Sequence, residues 1–317
     1  MIYLSLCIPT NGVSEWVFPV LDSIFNQNAD ESLYEVIVTD NGDNEDFHAA
    51  MSNYALKHEN LTYRKTNAFL FQNQIEALRI AKGEFLKFVN HRAVLEEGSL
   101  EWLIDVVREN INVKPVIYLS NGVLGLHERN EYFSFDDFVR GLKHYASWTT
   151  GVGVWRSDFE RIPQDWVYNK ISPHSDVLFF ERHKRKYVID DRVWSHEIDS
   201  SHKNKGKYDL YKAFAVEEIA VTLGLFLDGD ISSDTLKAVV DSYKSFVAFC
   251  YWSFNVKHEP CSYEIDGFND AMGVFMTKRE VIMRAWSRAL TEALRRRISA
   301  LRGIAGRIAR RLHIRIH

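Results

Sequence analysis

Three polar stretches follow short apolar runs in the first hundred residues. Thr10-Asn11 follows residues 4–8, Asp40-Asn41-Gly42 follows residues 34–39, and Asn90-His91-Arg92 follows residues 85–89. Arg92 is the residue with the clearest chemical meaning, because a guanidinium is a fixed cation with a planar donor fork that fits a diphosphate. Three such stretches brought to one crevice would make a site of the kind that holds a nucleotide.

The elements around them put the stretches on one edge. Residues 4–8 form an apolar run stopped by Pro9, which suits a buried parallel strand. Val17, Val20, Leu21 and Ile24 follow at the spacing of one helical face. Further strands are expected at 34–39, 61–65, 85–89 and 116–119. Between them, helices are signalled by Ile75, Leu78 and Ala81, closed by Gly83, and by the apolar pattern of 100–107. Strands and helices alternating at this spacing imply βαβ units and a mostly parallel sheet. Ligands of such sheets bind at the carboxyl ends of the strands, where all three polar stretches fall.

Composition narrows the classes. The chain has 317 residues and 46% hydrophobic residues, enough for a large α/β domain with an appendage. Three scattered cysteines, Cys7, Cys250 and Cys261, give no disulfide framework and favour a reducing compartment. Neither a cleavable leader nor an apolar run near the roughly 20 residues of a membrane span is expected. No paired His or Cys spacing suggests zinc, and no phosphate-loop or dinucleotide fingerprint occurs. The formal charge of −4 hides an asymmetry, because residues 295–317 hold eight arginines and no acid. Setting those eight aside from 39 basic residues leaves 31 against 43 acidic ones, a body of −12. An acidic body argues against nucleic acid as a partner.

Taken together, the motifs resemble the family 2 glycosyltransferases of GT-A fold. Leu4 to Asn11 with Leu21 to Gln27 looks like the family's opening, and Val36 to Asp40 before Asn41-Gly42 looks like its second strand. Asn73 ahead of Ile80-Ala81-Lys82-Gly83-Glu84-Phe85, and Gly98-Ser99-Leu100, match later segments. The resemblance covers about residues 3–200. It implies a nucleotide-sugar donor held by Pro9, Thr10, Asn11, Asp40, Asn73, Asn90 and Arg92, with Asp40 at the base or ribose. The family's metal-binding aspartates are replaced by Asn90-His91-Arg92, so no cofactor is expected, and no divalent metal at the usual place. Gln72 also stands where the family commonly has arginine.

The resemblance extends to the acceptor side. Trp148, Gly151 and Trp155, within or beside Thr149 to Arg156, resemble the acceptor-side strand, where glycine lets a sugar approach the backbone. Ser175-Asp176-Val177-Leu178 resembles the helix start whose aspartate is the catalytic base. Asp176 is therefore the expected base, with Asp165 as runner-up and a helix N-cap as the plain structural alternative. Val193 to His196 resembles the segment whose histidine approaches the diphosphate or metal. Lys205, with Lys203 and Lys207, lies in a Gly- and Ser-containing loop able to close over the nucleotide.

The expected architecture is an α/β GT-A domain over 1–207, with a nucleotide-sugar half to about 120 and an acceptor half beyond it. A helical subdomain (208–276) and a basic amphipathic tail (277–317) follow. Ile298, Leu301, Ala305, Ile308 and Leu312 share a face among the arginines, as in a helix lying on an anionic membrane. The expected protein is a hexosyl- or deoxyhexosyltransferase, inverting, of bacterial surface-polysaccharide synthesis (O-antigen or capsule). It would use a glycan or lipid-linked acceptor, sit in the cytoplasm on the inner face of the membrane, and have the helical subdomain open to oligomer contacts. An inactive GT-A-like scaffold is the competing class, and a nucleotidyltransferase a weaker one.

Overall fold

The computed structural model describes residues 1–126, 129–198, 208–261 and 263–291. Its centre is a five-stranded sheet in the order β3 (Leu61–Lys65), β2 (Tyr34–Asp40), β1 (Leu4–Thr10), β4 (Phe85–Phe88), β8 (Gly153–Trp155). The first four run parallel and β8 is antiparallel to β4. Between them come α1 (Ser14–Phe25), α2 (Glu45–Ala55) and α3 (Asn73–Ile80). Every β2 residue is buried, and all of β1 except Pro9, which explains why these strands read as continuous apolar runs. The register pairs Thr10 with Asp40 and Cys7 with Phe88. The loops that follow β1, β2 and β4 therefore emerge side by side.

Beyond β4 a ribbon pairs β5 (Ala93–Leu95) with β10 (Ser195–Glu197), and α4 (Ser99–Asn110) follows β5. A second sheet runs β6 (Val116–Leu119), β9 (Tyr187–Asp190), β7 (Arg129–Tyr132). A bridge between Tyr118 and Val152 links it to the first sheet. Helices α5 (Phe135–Leu142), α6 (Arg156–Phe159) and α7 (Pro173–Phe180) cover this half.

One buried cation holds the junction of β4 and β8. Lys87 is fully buried, and its ammonium donates to the carbonyls of Phe88 at 3.0 Å, Val152 at 3.2 Å and Thr150. The Trp194 ring lies 4.9 Å from Nζ. Three carbonyl acceptors use all three ammonium protons, while burial pushes the lysine pKa well down. This anchors the turn that follows Trp148 and Thr149.

The helical part comprises α8 (Leu210–Lys212), α9 (Glu218–Leu227), α10 (Ser233–Cys250) and α11 (Phe268–Ala271). Leu210, Tyr211, Ile219, Tyr243, Val247 and Met276 join the same hydrophobic cluster as Cys7, Ile37, Leu86 and Phe88. The boundary expected at 207 does not divide the core. Tyr211 and Tyr243 of these helices are spent on the interior, at most 1% exposed. A last helix occupies 278–291 and opens with a capping box: Glu280 N–H donates to Thr277 Oγ1 at 3.2 Å, and Thr277 N–H donates to Glu280 Oε2 at 2.8 Å. The arginine-rich segment 295–317 and Lys203, Lys205 and Lys207 lie outside the described residues.

Candidate active site

A cavity of about 860 Å³ opens at the carboxyl ends of β1, β2 and β4. One end is lined by Pro9, Thr10, Asn11, Asn41, Asp43 and Lys65, and Asn90, His91, Arg92 and Glu197 border it as well. Ser147, Trp148 and Thr149, the 66–71 segment, Asn73, Gln74, Tyr208, Phe214 and Tyr263 complete it. Its size and mixed lining suit a small-molecule ligand.

Asn73 organises the strand ends. Its Nδ2 donates to the carbonyls of Thr39 at 2.8 Å and Thr10 at 3.1 Å, and its Oδ1 accepts the Thr66 hydroxyl at 2.8 Å. One side chain, 3% exposed, thereby ties β1, β2 and the residue after β3. The loops after β1 and β2 also touch: a Cβ on Gly42 would lie 2.0 Å from the Asn11 carbonyl oxygen, so only glycine fits there.

The turn after β4 faces the cavity. His91 Nδ1 lies 2.9 Å from Thr10 Oγ1, and its ring meets Trp16 edge-on at 5.0 Å. The Arg92 guanidinium lies 5.6 Å from the Trp16 ring and forms an ion pair with Glu197 Oε2 at 3.1 Å. Arg92 is only 8% exposed, so its charge acts from within the wall. Sequence reasoning missed Glu197 and chose its neighbour. Successive strand residues face opposite sides. His196 accordingly lies exposed against Glu96, at 2.8 Å, and outside the cavity.

Other expected residues are placed differently. Asp40 is fully buried and spends its carboxylate on Gly42 N–H at 2.8 Å and the Tyr63 hydroxyl at 2.9 Å; the carboxylate lining this end is Asp43. Gly151 packs against the Tyr118 ring, where a Cβ would lie 2.1 Å from Cζ, and opens no path for a ligand. Trp155 is 1% exposed, its indole N–H donating to Pro115 O at 2.7 Å. Trp148 does line the cavity.

Asp176 is neither an N-cap nor a lining residue. Helix α7 begins at Pro173 with Ser172 as cap, and the Asp176 carboxylate accepts the Asn169 N–H at 2.5 Å. The α7 side chain behind the cavity wall is His174, which touches the lining residues Ser147, Thr149 and Gln74. Its Nε2 lies 2.8 Å from Ser147 O, a pure acceptor, so that nitrogen carries the proton. Nδ1 lies 3.3 Å from Thr149 Oγ1 and 3.1 Å from Gln74 Oε1, and it presents a lone pair to both when the Gln74 amide is turned to aim its NH2 at the ring. Two residues along a helix turn the chain by about 200°, which carries Asp176 to the other side. Burial holds His174 neutral, its pKa pushed down to about 4.

The family model for glycosyl transferase family 2 matches residues 5–163, about half of the chain. This chain belongs to glycosyl transferase family 2. A search of curated protein sequences finds no match. Among solved structures, the transferase is similar to residues 1–349 of S. aureus TarS in complex with UDP-GlcNAc. The TM-score is 0.62 at 14% identity, over 90% of this chain and 83% of that one. It is also similar to the mannosyltransferase PcManGT from Pyrobaculum calidifontis in complex with GDP-Man and Mn2+. There the TM-score is 0.51 at 16% identity, over 77% of this chain and 74% of that one. At these identities the likeness is one of fold, a GT-A-like α/β fold with a mostly parallel sheet.

The turn of this transferase does not fit a divalent cation of the kind present in the Pyrobaculum complex. It offers an amide, an imidazole and a guanidinium, and the Asn90 Oδ1 already accepts Arg92 N–H at 3.1 Å. Among the described residues no three His, Cys, Asp or Glu side chains converge on a common point.

Against the start of α7, Glu218 is buried with Ser172, Ser175 at 3.5 Å and the Tyr243 hydroxyl at 3.3 Å. Burial pushes its pKa from 4.5 up to about 7. The protonated acid is favoured in the fold, so its stabilising contribution is whole below pH 4.5 and is lost as pH rises through 7. At about 1.4 kcal/mol per unit, that loss amounts to about 3 kcal/mol. Glu218→Gln keeps the amide-sized side chain without the charge. Thermal unfolding between pH 4.5 and 8 is expected to show the parent losing stability relative to Glu218→Gln; parallel curves for the two would refute this account.

Proposed function

We propose that this chain transfers a hexosyl or deoxyhexosyl group from a nucleotide-sugar donor to a glycan or lipid-linked acceptor, with inversion and without a metal at the diphosphate. The observation that carries the reading is Arg92, a buried guanidinium on the wall beside Asn90 and His91, in a cavity whose other end is shaped by the β1 and β2 loops. A cation so positioned neutralises the departing diphosphate as it develops charge. That TarS is described with UDP-GlcNAc and PcManGT with GDP-Man supports a nucleotide-sugar donor here. The assignment to bacterial surface polysaccharide, O-antigen or capsule, rests on the family resemblance of the sequence motifs.

Binding of UDP- and GDP-sugars, measured calorimetrically, should persist in EDTA and weaken at least tenfold in Arg92→Ala. Donor binding that requires manganese or magnesium would return a metal to this site.

Inversion needs a proton acceptor on the face away from the diphosphate. The carboxylates lining the cavity among the described residues are Asp43 and Glu197, and Glu197 lies beside Arg92. The acceptor wall instead offers the Thr149 hydroxyl backed by His174 Nδ1. In this reading the acceptor oxygen bonds to the anomeric carbon as the bond to the diphosphate breaks. Its proton passes to Thr149 Oγ1, whose own proton moves to Nδ1. The second reading, a non-catalytic sugar-nucleotide-binding scaffold, is favoured by the want of a carboxylate on that wall. Release of nucleoside diphosphate from the donor tests both. His174→Phe and Thr149→Val should lose about 10²–10⁴ in turnover, whereas Asp176→Asn should stay within tenfold. A collapse confined to Asp176→Asn restores that residue as base, and no turnover in the parent supports the scaffold.

We further propose a peripheral seat on the inner face of the cell membrane through residues 295–317. No helix among the described residues is long and apolar enough to cross a membrane. The eight arginines of that segment would each add about 1 kcal/mol at an anionic surface. The helix at 278–291 leads toward it with Met283, Trp286 and Leu290 at least 51% exposed. A chain ending at Ala293 is expected to keep donor binding and to stop sedimenting with phosphatidylserine vesicles; undiminished sedimentation would remove the membrane assignment.

A further inference from the structure

The last described helix turns apolar side chains in two directions. Residues 278–291 bury Val281 and Ala285 against the body, while Met283, Trp286 and Leu290 point outward and are each more than half exposed. At spacings of three and four residues these three make one stripe. With Ile282, Ser287 and Thr291 they line a shallow depression of about 480 Å³. The Trp286 ring meets Trp252 edge-on at 5.1 Å, which holds the indole at the surface. The Thr291 hydroxyl donates to the Ser287 carbonyl at 2.9 Å, so that donor is spent within the helix.

The charges beside the stripe have one dominant sign. Residues 278–291 carry Lys278, Arg279, Arg284 and Arg288 against a single acid, Glu280. That acid is engaged locally, accepting the Thr277 N–H at 2.8 Å and pairing with Lys244 at 2.9 Å. Arg284 is tied to Asp241 at 2.5 Å and to Ser245 at 3.0 Å. Arg279 stands seven residues before Trp286 and so shares its face. Arg288 lies over the Phe249 ring at 4.6 Å. Long cations beside an apolar stripe can lay their stems along it and keep their heads among polar groups.

We propose that the stripe of Met283, Trp286 and Leu290 is a lipid-contact surface that enters the headgroup and upper acyl layer of an anionic bilayer. The proposal rests on the membrane reading above and adds to it a second, described surface: the arginines of 295–317 attract, and the stripe inserts. An indole suits that depth, with an apolar ring body and one polar N–H. The basic neighbours match anionic headgroups in sign. A second copy of this chain fits the face less well. Stripe against stripe would gather the cations of both helices at one contact, and three side chains fall short of the roughly 800 Å² per partner that stable interfaces bury. Three side chains also seat only shallowly in lipid, so the stripe adds to the attraction of 295–317 and does not replace it.

The full chain is mixed with vesicles of phosphatidylcholine, with and without phosphatidylserine, each also prepared with bromine on the upper acyl chain. Brominated vesicles containing phosphatidylserine are expected to quench tryptophan emission, and Trp286→Phe to remove at least half of that quenching. The double variant Met283→Ser/Leu290→Ser should weaken vesicle binding at least tenfold. Its thermal unfolding should match the parent's, because both side chains are exposed. Vesicle binding without quenching, equal in the parent and the double variant, overturns the proposal and leaves 295–317 as the sole anchor. Quenching that persists in a chain ending at Ala293 keeps the stripe and removes the anchoring role of 295–317 instead. A concentration-dependent dimer in sedimentation velocity, dissolved by the double variant, gives the face to a second copy and overturns the proposal. Failure of the full chain to bind either vesicle overturns both readings.

Discussion

The Asn73 side-chain amide is the point on which the site depends. Parallel strands are joined along their length by backbone hydrogen bonds, but those bonds stop where the strands stop, and the loops beyond would be free to splay. Asn73 continues the connection one step further, bonding to carbonyls at the ends of β1 and β2 and to the hydroxyl of Thr66 after β3. Because it opens α3, its position is also fixed by the helix that packs under the sheet. The loops carrying Asn11, Asn41 and Asp43 take their spacing from this amide and from the contact that Gly42 permits. Burying a polar group is costly unless each of its hydrogen-bonding positions is used, and here they are used on structure.

A similar economy holds on the other side. Lys87 holds the segment after Trp148 and Thr149 through carbonyls, and His174 fastens Ser147 and Thr149 from behind. Both groups are buried and both are pushed by burial toward the neutral form. The cavity is therefore bounded by polar groups whose partners are internal, with Arg92 as the buried cation on its wall.

Much of this was legible in the sequence because the strands carry strong signals. Apolar runs ended by Pro9, Asp40 and Asn90 gave the strand ends, and the rule for parallel sheets gave the edge where they meet. What was not legible depends on which way a side chain turns. His196 and Glu197 are adjacent, and only the pairing of β10 with β5 decides which faces inward. The choice between His174 and Asp176 depends on where α7 begins, since a shift of two residues rotates the face that meets the cavity. Asp40 was misjudged because its partners, Gly42 N–H and Tyr63, are supplied by a turn and by a neighbouring strand. The other rings that line the cavity were not legible for another reason: Phe71, Tyr208 and Tyr263 are far apart in the chain, and Phe214, at helical spacing, reads most simply as core.

The single hydrophobic cluster that spans residue 207 bears on how such a protein is inherited and re-engineered. The strand-end loops that open the cavity lie in the matched segment, 5–163, but Tyr208, Phe214 and Tyr263, which complete its lining, come from the helical part of the chain that closes the same core. Exchanging those helices for another set would change specificity and cohesion together, because the residues that shape the chamber and those that seal the interior share one scaffold. A graft at this seam must therefore match interior volumes before it can confer a new preference, and drift in the helices is restrained by packing even where ligand choice is under no pressure.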